Sequence, residues 1–400
     1  MIDRLFFLLI SLLSLPLISY SYENSKQNFS ECLKSLGQKA QQANISSKLI
    51  QYTLATTQWQ QQMIQHDRRQ PELMHTFSKY IQQRVTHQRI ETGQQKLTSY
   101  HEQFKQLAQT KGIPPAILVA LWGLESNYGD FMGNIQLLDA LATLACDQRR
   151  SSFFTRQWIA SLKIIDQTPL NAEDLTSSWA GAMGHFQFMP TTYRQYAVDA
   201  SGNGFSDIWS QDANDAIASA ANFLQALGWK ANRWWGGEVI LPADFNYQQI
   251  NHHHTLAQWK AMGITPVSGD WLSNTPQTAT LQLLLPAGAK GPAFLVTQNF
   301  DILLKWNRSR FFALSVGYLA NRISGKPAWE KPLPDQPELT HTTIKQIQQT
   351  LNASGYESGP VDGMFGPATQ KALQAFQKDH NLTPDGYPDT ITIQYLNKHD

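Results

Sequence analysis

The chain is poor in charged side chains. Asp, Glu, Lys and Arg make up 16% of its 400 residues, and the formal net charge is only +1. Proteins that hold nucleic acid through a basic face carry a clustered excess of lysine and arginine, so this balance argues against a nucleic-acid binder. Hydrophobic residues make up 42% of the chain, which is enough for a sizeable core. A chain of this length has room for two or more domains.

Long hydrophobic runs are confined to the N-terminus. Residues 5–19 form an apolar stretch that follows Arg4. Such a stretch is typical of a signal peptide and is too short for a comfortable membrane span. We therefore predict a signal peptide over residues 1–22 and export to the periplasm or cell envelope. Because Tyr20 and Tyr22 spoil a small-residue cleavage pattern, an uncleaved segment that associates with the membrane is the alternative.

Cysteine is almost absent from the chain. Cys32 and Cys146 are the only two. In an oxidising compartment two cysteines can pair, and such a bridge would tie an N-terminal helix to the middle of the chain. Two free buried thiols are the alternative, and the sequence contains no geometry that decides between them.

Helical patterns dominate the first three quarters of the chain. Residues 28–110 are rich in Gln, Leu, Ile and Lys and contain few Gly or Pro, which predicts several helices. Residues 112–325 are predicted to be mostly helical with long loops. Short apolar runs at 238–241 and 281–285 predict strands.

One apolar stretch contains a single carboxylate. Residues 114–125 read Pro-Pro-Ala-Ile-Leu-Val-Ala-Leu-Trp-Gly-Leu-Glu, which predicts a helix that begins at the prolines and has Glu125 in its last turn. Gly129 suits the end of this helix. Apolar neighbours and the negative end of the helix dipole both favour a protonated carboxyl group. We predict that Glu125 is a general acid; an exposed glutamate at a helix end is the alternative.

A second segment is rich in small residues. Residues 178–190 read Ser-Trp-Ala-Gly-Ala-Met-Gly-His-Phe-Gln-Phe-Met-Pro, with Gln187 between two phenylalanines. Small residues let the backbone approach a ligand or another helix. An amide in an apolar frame needs hydrogen-bond partners, and a ligand can be one of them. A tight helix–helix contact with a satisfied buried glutamine is the alternative.

Together the motifs resemble the lytic murein transglycosylase B family over about residues 28–325. They are Glu125-Ser-Asn-Tyr-Gly129, Arg149-Arg150, Gly181-Ala-Met-Gly184 with Gln187-Phe-Met-Pro190, Asp207-Ile-Trp209, Asp215-Ala-Ile-Ala-Ser219, Gly228-Trp229 and Trp306-Asn-Arg-Ser309. The resemblance implies a mainly α (α+β) fold with a lysozyme-like, mostly helical catalytic domain and no required cofactor. It also implies cleavage of the β-1,4 bond between N-acetylmuramic acid and N-acetylglucosamine, with a 1,6-anhydromuramic product.

The sequence around Glu125 agrees with chemistry that needs one acid. Retaining and inverting glycosidases usually use two carboxylates, and no second carboxylate lies in an equally protected motif near Glu125. In the implied mechanism the acetamido group and 6-hydroxyl of the substrate replace the second carboxylate, and Glu125 acts first as acid and then as base. A lysozyme-like hydrolase and a non-catalytic wall-binding protein are the alternatives.

The resemblance implies further substrate contacts. The residues concerned are Tyr128, Ser178, Gln187, Phe223, Asn307 and Phe312. At Phe154, Phe223 and Phe312 this chain has phenylalanine where some family members have a cleft tyrosine. Phenylalanine keeps the stacking surface and lacks the hydroxyl, so no hydroxyl-mediated substrate binding is expected at these positions.

A loop after residue 198 resembles the start of an EF-hand. Asp199, Ser201 and Asn203 place oxygen side chains at alternate positions. Asp215 matches the family residue that can complete such a site, so a structural calcium ion is an expectation. A helix N-cap role for Asp215 is the alternative.

The C-terminal part of the chain reads as a separate module behind a linker. Residues 326–340 hold four prolines and predict a semi-rigid linker. Residues 341–398 resemble the peptidoglycan-binding-1 domain, a small three-helix fold. The matching residues are Leu351, Gly355, Tyr356, Asp362, Gly363, Phe365, Gly366, Thr369, Ala372, Phe376, Gln377 and Asp385-Gly386. We expect a monomer that binds peptidoglycan glycan strands; a helical module without a ligand is the alternative.

Overall fold

A computed structural model of the chain is mainly helical, as the sequence predicted. The structure describes residues 16–68, 76–267, 271–273 and 275–398. The predicted signal peptide over residues 1–22 lies mostly outside these ranges. Among the described helices none has the length and apolar character needed to cross a membrane.

The described part of the chain contains many helices and a smaller number of short strands. The helices are α1 (Pro16–Gln42), α2 (Ser47–Thr56), α3 (Gln61–Arg68), α4 (Phe77–Arg84), α5 (His87–Ser99), α6 (His101–Lys111), α7 (Pro115–Ser126), α8 (Leu137–Ala145), α9 (Ser151–Gln167), α10 (Pro190–Tyr196), α11 (Asn214–Ala226), α12 (Leu256–Ala261), α13 (Gln298–Trp306), α14 (Arg310–Ile323), α15 (His341–Ala353), α16 (Pro367–Asp379) and α17 (Thr390–Leu396). The strands are β1 (Ile135–Gln136), β2 (Thr176–Ser177), β3 (Gly236–Ile240), β4 (His253–Thr255), β5 (Thr265–Pro266), β6 (Thr280–Leu284) and β7 (Ala293–Val296).

The chain divides into two units. The first comprises Met1–Arg69 and Met132–Gln195, and the second comprises Gln70–Phe131 and Tyr196–Asp400. Each unit is therefore built from two separate stretches of sequence, because the chain leaves the second unit after Phe131 and returns to it at Tyr196, the last residue of α10.

The first unit is a group of packed helices closed by a covalent bond. Helix α8 packs on α9 and α3, and α1 packs on α2, α8 and α9. Strand β1 pairs with β2 in antiparallel register, with Ile135 opposite Ser177. Cys32 on α1 and Cys146 after α8 form a disulfide with a Cα–Cα distance of 5.9 Å and a sequence separation of 114. Closing a loop of that length in the unfolded chain stabilises the fold by about 4–5 kcal/mol in the entropic description.

The core of the second unit surrounds α7. This helix packs on α5, α6, α11 and α14. Every residue from Ala116 to Leu124 is buried. The predicted helix is therefore present, with Pro115 in its first turn. Neighbouring helices cover several faces of α7, which is why its residues are buried all round.

A five-stranded antiparallel sheet also belongs to the second unit. Its strand order is β4-β6-β7-β3-β5, and its register places Gly237 opposite Leu295. Both predicted strands are present, as β3 and β6, with ends shifted by one or two residues. Gly237 is required by close packing, since a Cβ atom there would lie 2.6 Å from the indole of Trp271.

The predicted linker, residues 326–340, is hydrogen-bonded at several points to other segments of the second unit. The Ser78 hydroxyl donates to the Pro334 carbonyl at 2.7 Å. The Glu238 carboxylate accepts the backbone N–H groups of Glu330 and Lys331 at 2.8 and 2.9 Å. Burial raises the pKa of Glu238, and these two N–H groups oppose that effect. The segment is thus held by specific hydrogen bonds as well as by the stiffness of proline.

The C-terminal module is the predicted three-helix fold, made of α15, α16 and α17. Its core residues are Ile347, Leu351, Ala372, Leu373, Phe376 and Leu396. The module also contacts the sheet region of the same unit. The Gln374 amide donates to the Tyr247 carbonyl at 2.8 Å, and Lys290 forms an ion pair with Asp389 at 2.7 Å.

Candidate active site

Glu125 occupies the last turn of α7, as predicted, and its side chain is half-buried. Its Oε1 atom accepts a hydrogen bond from the indole Nε1–H of Trp306, with a donor–acceptor distance of 2.8 Å. Trp306 is the last residue of α13 and lies 181 positions further along the chain. The fold therefore brings a side-chain donor to the predicted acid from a distant helix.

The end of α7 differs in detail from the expected glycine stop. The helix is closed by Asn127 and Tyr128, which have φ values of 51° and 62°, and Gly129 follows with φ 99°. Two residues with side chains thus adopt the left-handed conformation that usually favours glycine. This costly turn directly follows Glu125 and Ser126, and such strain is often found near functional groups.

Tyr128, a predicted substrate contact, has a clear structural role. It is 4% exposed, and its hydroxyl donates to the Arg89 carbonyl at 2.6 Å. Burial raises the pKa of Tyr128. Its ring lies so close to Gly123 that a Cβ atom there would be 2.6 Å away. Tyr128 therefore fixes the turn after the acid, and its contact with substrate stays a prediction.

A row of aromatic rings leads to the acid. The ring centroids of Tyr196 and Phe223 are 4.8 Å apart, and those of Phe223 and Trp306 are 5.1 Å apart. Phe223 and Trp306 are both half-buried. Phe223 is thereby placed beside the tryptophan that binds Glu125, which gives the acid an apolar wall. Direct contact of Phe223 with substrate stays a prediction.

The turn between α13 and α14 orders two more predicted residues. Oδ1 of Asn307 accepts the backbone N–H of Ser309 at 3.0 Å. The Ser309 hydroxyl in turn caps α14 by accepting the N–H of Phe312 at 3.2 Å. Phe312 is only 6% exposed. Both side chains therefore help to hold the segment that follows Trp306, and substrate contacts for them stay predictions.

Ser178 and Gln187 lie in the first unit. The backbone of Ser178 pairs with that of Ala182, and the Ser178 hydroxyl accepts the Ala182 N–H at 3.2 Å. Gln187 has φ 50°. Its amide nitrogen donates to the carbonyl groups of Met132 and Gly184 at 3.1 and 3.0 Å. Because its two N–H donors are used internally, its oxygen is the atom with which this amide would meet a ligand.

An ion-pair cluster around a buried aspartate of the first unit was not predicted. Asp67 is 2% exposed, and its carboxylate contacts the guanidinium groups of Arg149 and Arg150 at 2.8 and 3.6 Å. Asp147, the acidic residue near these arginines in sequence, pairs with Arg68 instead. The Arg149-Arg150 motif was the available signal, but its partner lies 82 residues away.

The EF-hand-like loop of the second unit is held by its own backbone. The Asp199 carboxylate accepts the N–H groups of Gly202, Asn203 and Gly204 at 2.7, 3.2 and 2.8 Å. These donors, that of Gly204 above all, hold the pKa of Asp199 below its ordinary value. The Ser201 hydroxyl also donates to Asp199. This carboxylate is therefore stabilised as an anion.

Asp215 closes the same loop from α11. It is 3% exposed, and it accepts the N–H groups of Ala200, Ser201 and Asp207, each at 2.9 Å. The alternative of a helix N-cap is wrong, because α11 begins at Asn214 and Asp215 already lies inside its first turn.

The donor set for calcium would be two carboxylates, Asp199 and Asp215, with neutral oxygens from Ser201 and Asn203. In the described part of the chain, no group of three His, Cys, Asp or Glu side chains is placed to hold a metal ion. Oxygen ligands suit calcium, but few charges weaken such a site. Calcium binding by this loop stays a prediction.

Comparison with known proteins identifies the family of the chain. Residues 28–321 match the family described as the transglycosylase SLT domain. The chain belongs to this transglycosylase family. Residues 340–396 match the putative peptidoglycan binding domain. The resemblance inferred from the motifs is confirmed, and the chain is a lytic transglycosylase that acts on peptidoglycan.

Individual relatives extend over most of the chain. Membrane-bound lytic murein transglycosylase B of Escherichia coli is 31% identical over 251 residues, which are 62% of this chain and 67% of that protein. SltB3 from Pseudomonas aeruginosa, solved in complex with NAG-anhNAM-pentapeptide, is 38% identical with a TM-score of 0.85, and the match covers 92% of this chain and 99% of that one. The Escherichia coli lytic transglycosylase SLT35, solved in complex with calcium, is 26% identical with a TM-score of 0.62 and covers 74% and 92%. The predicted lysozyme-like, mostly helical class is confirmed.

Proposed function

We propose that this transglycosylase cleaves the β-1,4 bond between N-acetylmuramic acid and N-acetylglucosamine and leaves a 1,6-anhydromuramic end, with Glu125 as the single acid and base. The observation that carries the proposal is the half-buried carboxyl group of Glu125 at the end of a buried helix, held by Trp306 at 2.8 Å. The relative SltB3, solved with an anhydromuramic ligand, supports the product class.

The reaction would proceed in two steps at the anomeric carbon. Protonated Glu125 gives its proton to the glycosidic oxygen as the bond to that oxygen breaks, and the acetamido oxygen of the muramic residue stabilises the electron-poor carbon. The 6-hydroxyl of the same sugar then attacks this carbon and loses its proton to the Glu125 carboxylate. The acid is thereby regenerated, and no water is consumed. The apolar wall of Phe223 and Trp306 suits a reaction from which water is excluded.

The carboxylate nearest to Glu125 in sequence supports a single-acid mechanism. Asp130 is exposed, and its Oδ2 accepts the side-chain amide of Asn127 at 2.8 Å. An exposed carboxylate bound to a neighbouring turn residue is poorly suited to act as a protected nucleophile. The lysozyme-like hydrolase stays as the competing reading, because it would use the same acid with water as the nucleophile.

Product analysis separates the two reactions. Purified murein digested by the full chain is treated with borohydride and examined by mass spectrometry. We expect muropeptides with anhydro ends, which lack one water and resist reduction. Reducing muramic ends without anhydro sugars would establish hydrolysis and remove the transglycosylase proposal.

We further propose that the protein is exported to the periplasm or cell envelope as a monomer and that residues 341–398 bind peptidoglycan strands. The match of residues 340–396 to a peptidoglycan-binding domain supports the second part. A chain that ends at residue 340 should bind insoluble sacculi less tightly and still cleave soluble fragments, provided that its melting temperature shows a folded protein. Equal sedimentation with sacculi would contradict the binding role.

A further inference from the structure

We propose that a cavity beside the start of α7 is a second binding site, which holds a carboxylate of a peptidoglycan stem peptide. The cavity measures about 440 Å³, and Pro114, residues 232–234, Trp271 and Lys326 are among the residues that line it. Such a volume is typical of small-ligand sites. Pro114 precedes α7 and Glu125 lies in its last turn, so a helix rise of about 1.5 Å per residue places the acid about 16 Å away. The proposal therefore goes beyond the role of Glu125 and does not depend on it.

The lining of the cavity carries positive charge without a negative counterpart. Arg233 and Lys326 line it, and none of its described lining residues is Asp or Glu. Within the described ranges of the chain, neither cation belongs to an ion pair. Desolvation lowers the pKa of the Lys326 ammonium group, although the residue as a whole is exposed. A partly desolvated cation without a carboxylate is unfavourable by itself, and an anionic ligand offsets that cost.

Two tryptophan rings give the same cavity an apolar surface. Trp234 and Trp271 are half-buried, and the Lys326 ammonium group lies 4.6 Å from the centroid of the Trp234 ring. Indole rings pack well against methyl and methylene groups, and guanidinium and ammonium groups bind carboxylates.

The peptide part of peptidoglycan combines both kinds of group. Stem peptides have alkyl side chains and several carboxylates. The sugars carry acetamido and hydroxyl groups, and the lactyl carboxyl group of muramic acid is consumed in its bond to the peptide. The charge of the cavity therefore favours the stem peptide over the glycan strand.

The loop that carries two of the lining residues is fixed before any ligand binds. Asn299 is fully buried. Its side chain accepts the Lys230 N–H at 2.8 Å and donates to the carbonyl groups of Lys230 and Arg233 at 2.9 and 2.7 Å. The indole of Trp234 donates to the Asn321 side chain at 3.0 Å. A loop held in this way loses little conformational entropy when a ligand binds, which favours affinity.

Isothermal titration calorimetry of the full chain tests the site, with the free tetrapeptide L-Ala-D-Glu-meso-diaminopimelate-D-Ala as the probe. We expect saturable binding, with a dissociation constant that rises about tenfold in Arg233→Gln and in Lys326→Gln, because each change removes a charged donor. Arg233→Lys keeps the charge and should bind more tightly than Arg233→Gln. The matched control is Lys260→Gln, at an exposed position elsewhere in the second unit, and it should bind the peptide like the wild type.

Several results would overturn the proposal. They are a wild type that does not bind the tetrapeptide, unchanged affinity in Arg233→Gln and Lys326→Gln, and an equal loss in Lys260→Gln. If the two cavity variants lose affinity for neutral chitotriose as they do for the peptide, the cavity recognises sugars instead of a carboxylate. If inorganic phosphate at equal concentration displaces the tetrapeptide, the cavity binds anions in general and the stem-peptide assignment is wrong.

Glu125→Gln separates this proposal from the proposed function. The variant should bind the tetrapeptide with wild-type affinity, because its changed side chain lies at the other end of α7. Loss of peptide binding in Glu125→Gln would place the peptide at the acid and overturn the second site. The turnover of the same variant decides the role of Glu125 independently, since the cavity does not take part in the chemical step.

Discussion

Two regions of the second unit hold carboxylates in opposite ways. At the end of α7, Glu125 is half-buried, and its carboxyl group accepts a side-chain donor, the indole N–H of Trp306. Asp199, in the loop before α11, and Asp215, in the first turn of α11, each accept several backbone N–H groups. Backbone donors stabilise the anion and cannot move away, so they commit a carboxylate to structure. Glu125 accepts a side-chain donor from a distant helix, and its proposed role requires a proton that can be exchanged. On that proposal, the surroundings of an acidic residue direct it toward chemistry or toward folding.

Replacing the carboxyl group of Glu125, at the end of α7, should change the activity most. Glu125→Gln should lower turnover of murein about 10²- to 10⁴-fold, because an amide cannot supply the proton. Its melting temperature should stay close to that of the wild type, since the amide oxygen can still accept from Trp306. Turnover is measured by release of soluble muropeptides. Unchanged turnover would remove Glu125 from the mechanism.

Replacing Asp215 should lower stability and largely keep activity, which is the reverse of the result expected for Glu125. Asp215→Ala leaves three backbone N–H groups without their acceptor. Its free energy of unfolding should fall by about 3 kcal/mol, while the activity of the folded fraction is largely kept. Urea unfolding measures the loss. Asp244→Ala, at an exposed position, is the matched control, and its stability should change by less than about 0.5 kcal/mol. Equal stabilities for both variants would contradict the structural role of Asp215.

Urea unfolding at several pH values tests whether the charge of Asp199 stabilises the fold. Hydrogen bonds hold the pKa of Asp199 below its ordinary value. Its ionised form therefore contributes stability above the unfolded-state value of about 3.9, and the contribution is lost as the pH falls through the lower folded value. The difference in urea midpoint between the wild type and Asp199→Asn should shrink over that acid range. A difference that is constant with pH would show that the charge of Asp199 is unimportant.

Added calcium should stabilise the protein slightly. If the loop binds the ion with a dissociation constant near a millimolar, a few millimolar calcium should stabilise the wild type by about 1 kcal/mol. Magnesium should act less, because it demands near-ideal octahedral geometry and gives up its water ligands reluctantly. Asp199→Asn should lose the response. An identical calcium shift in that variant would place the ion elsewhere.

Features that depend on neighbouring residues could be read from the sequence. Pro115 and the apolar residues after it predicted α7 and put Glu125 in its last turn. The proline-rich segment before residue 341 was visible as well. Its hydrogen bonds to Ser78 and Glu238 were not, because they join residues far apart in the chain. In the same way the loop motif predicted oxygen ligands at Asp199 and did not reveal how completely the backbone uses them.

Local sequence patterns were enough to predict the mainly helical class, the transglycosylase family and the position of Glu125 at a helix end. These follow from periodicity, helix-end residues and ordered motifs, all of which act over a few residues. The folded chain was needed to see that Trp306 donates to Glu125 and that Arg149 donates to Asp67, across 181 and 82 positions. Such contacts form when whole helices pack together. No local pattern in the sequence indicates which distant residues will then meet.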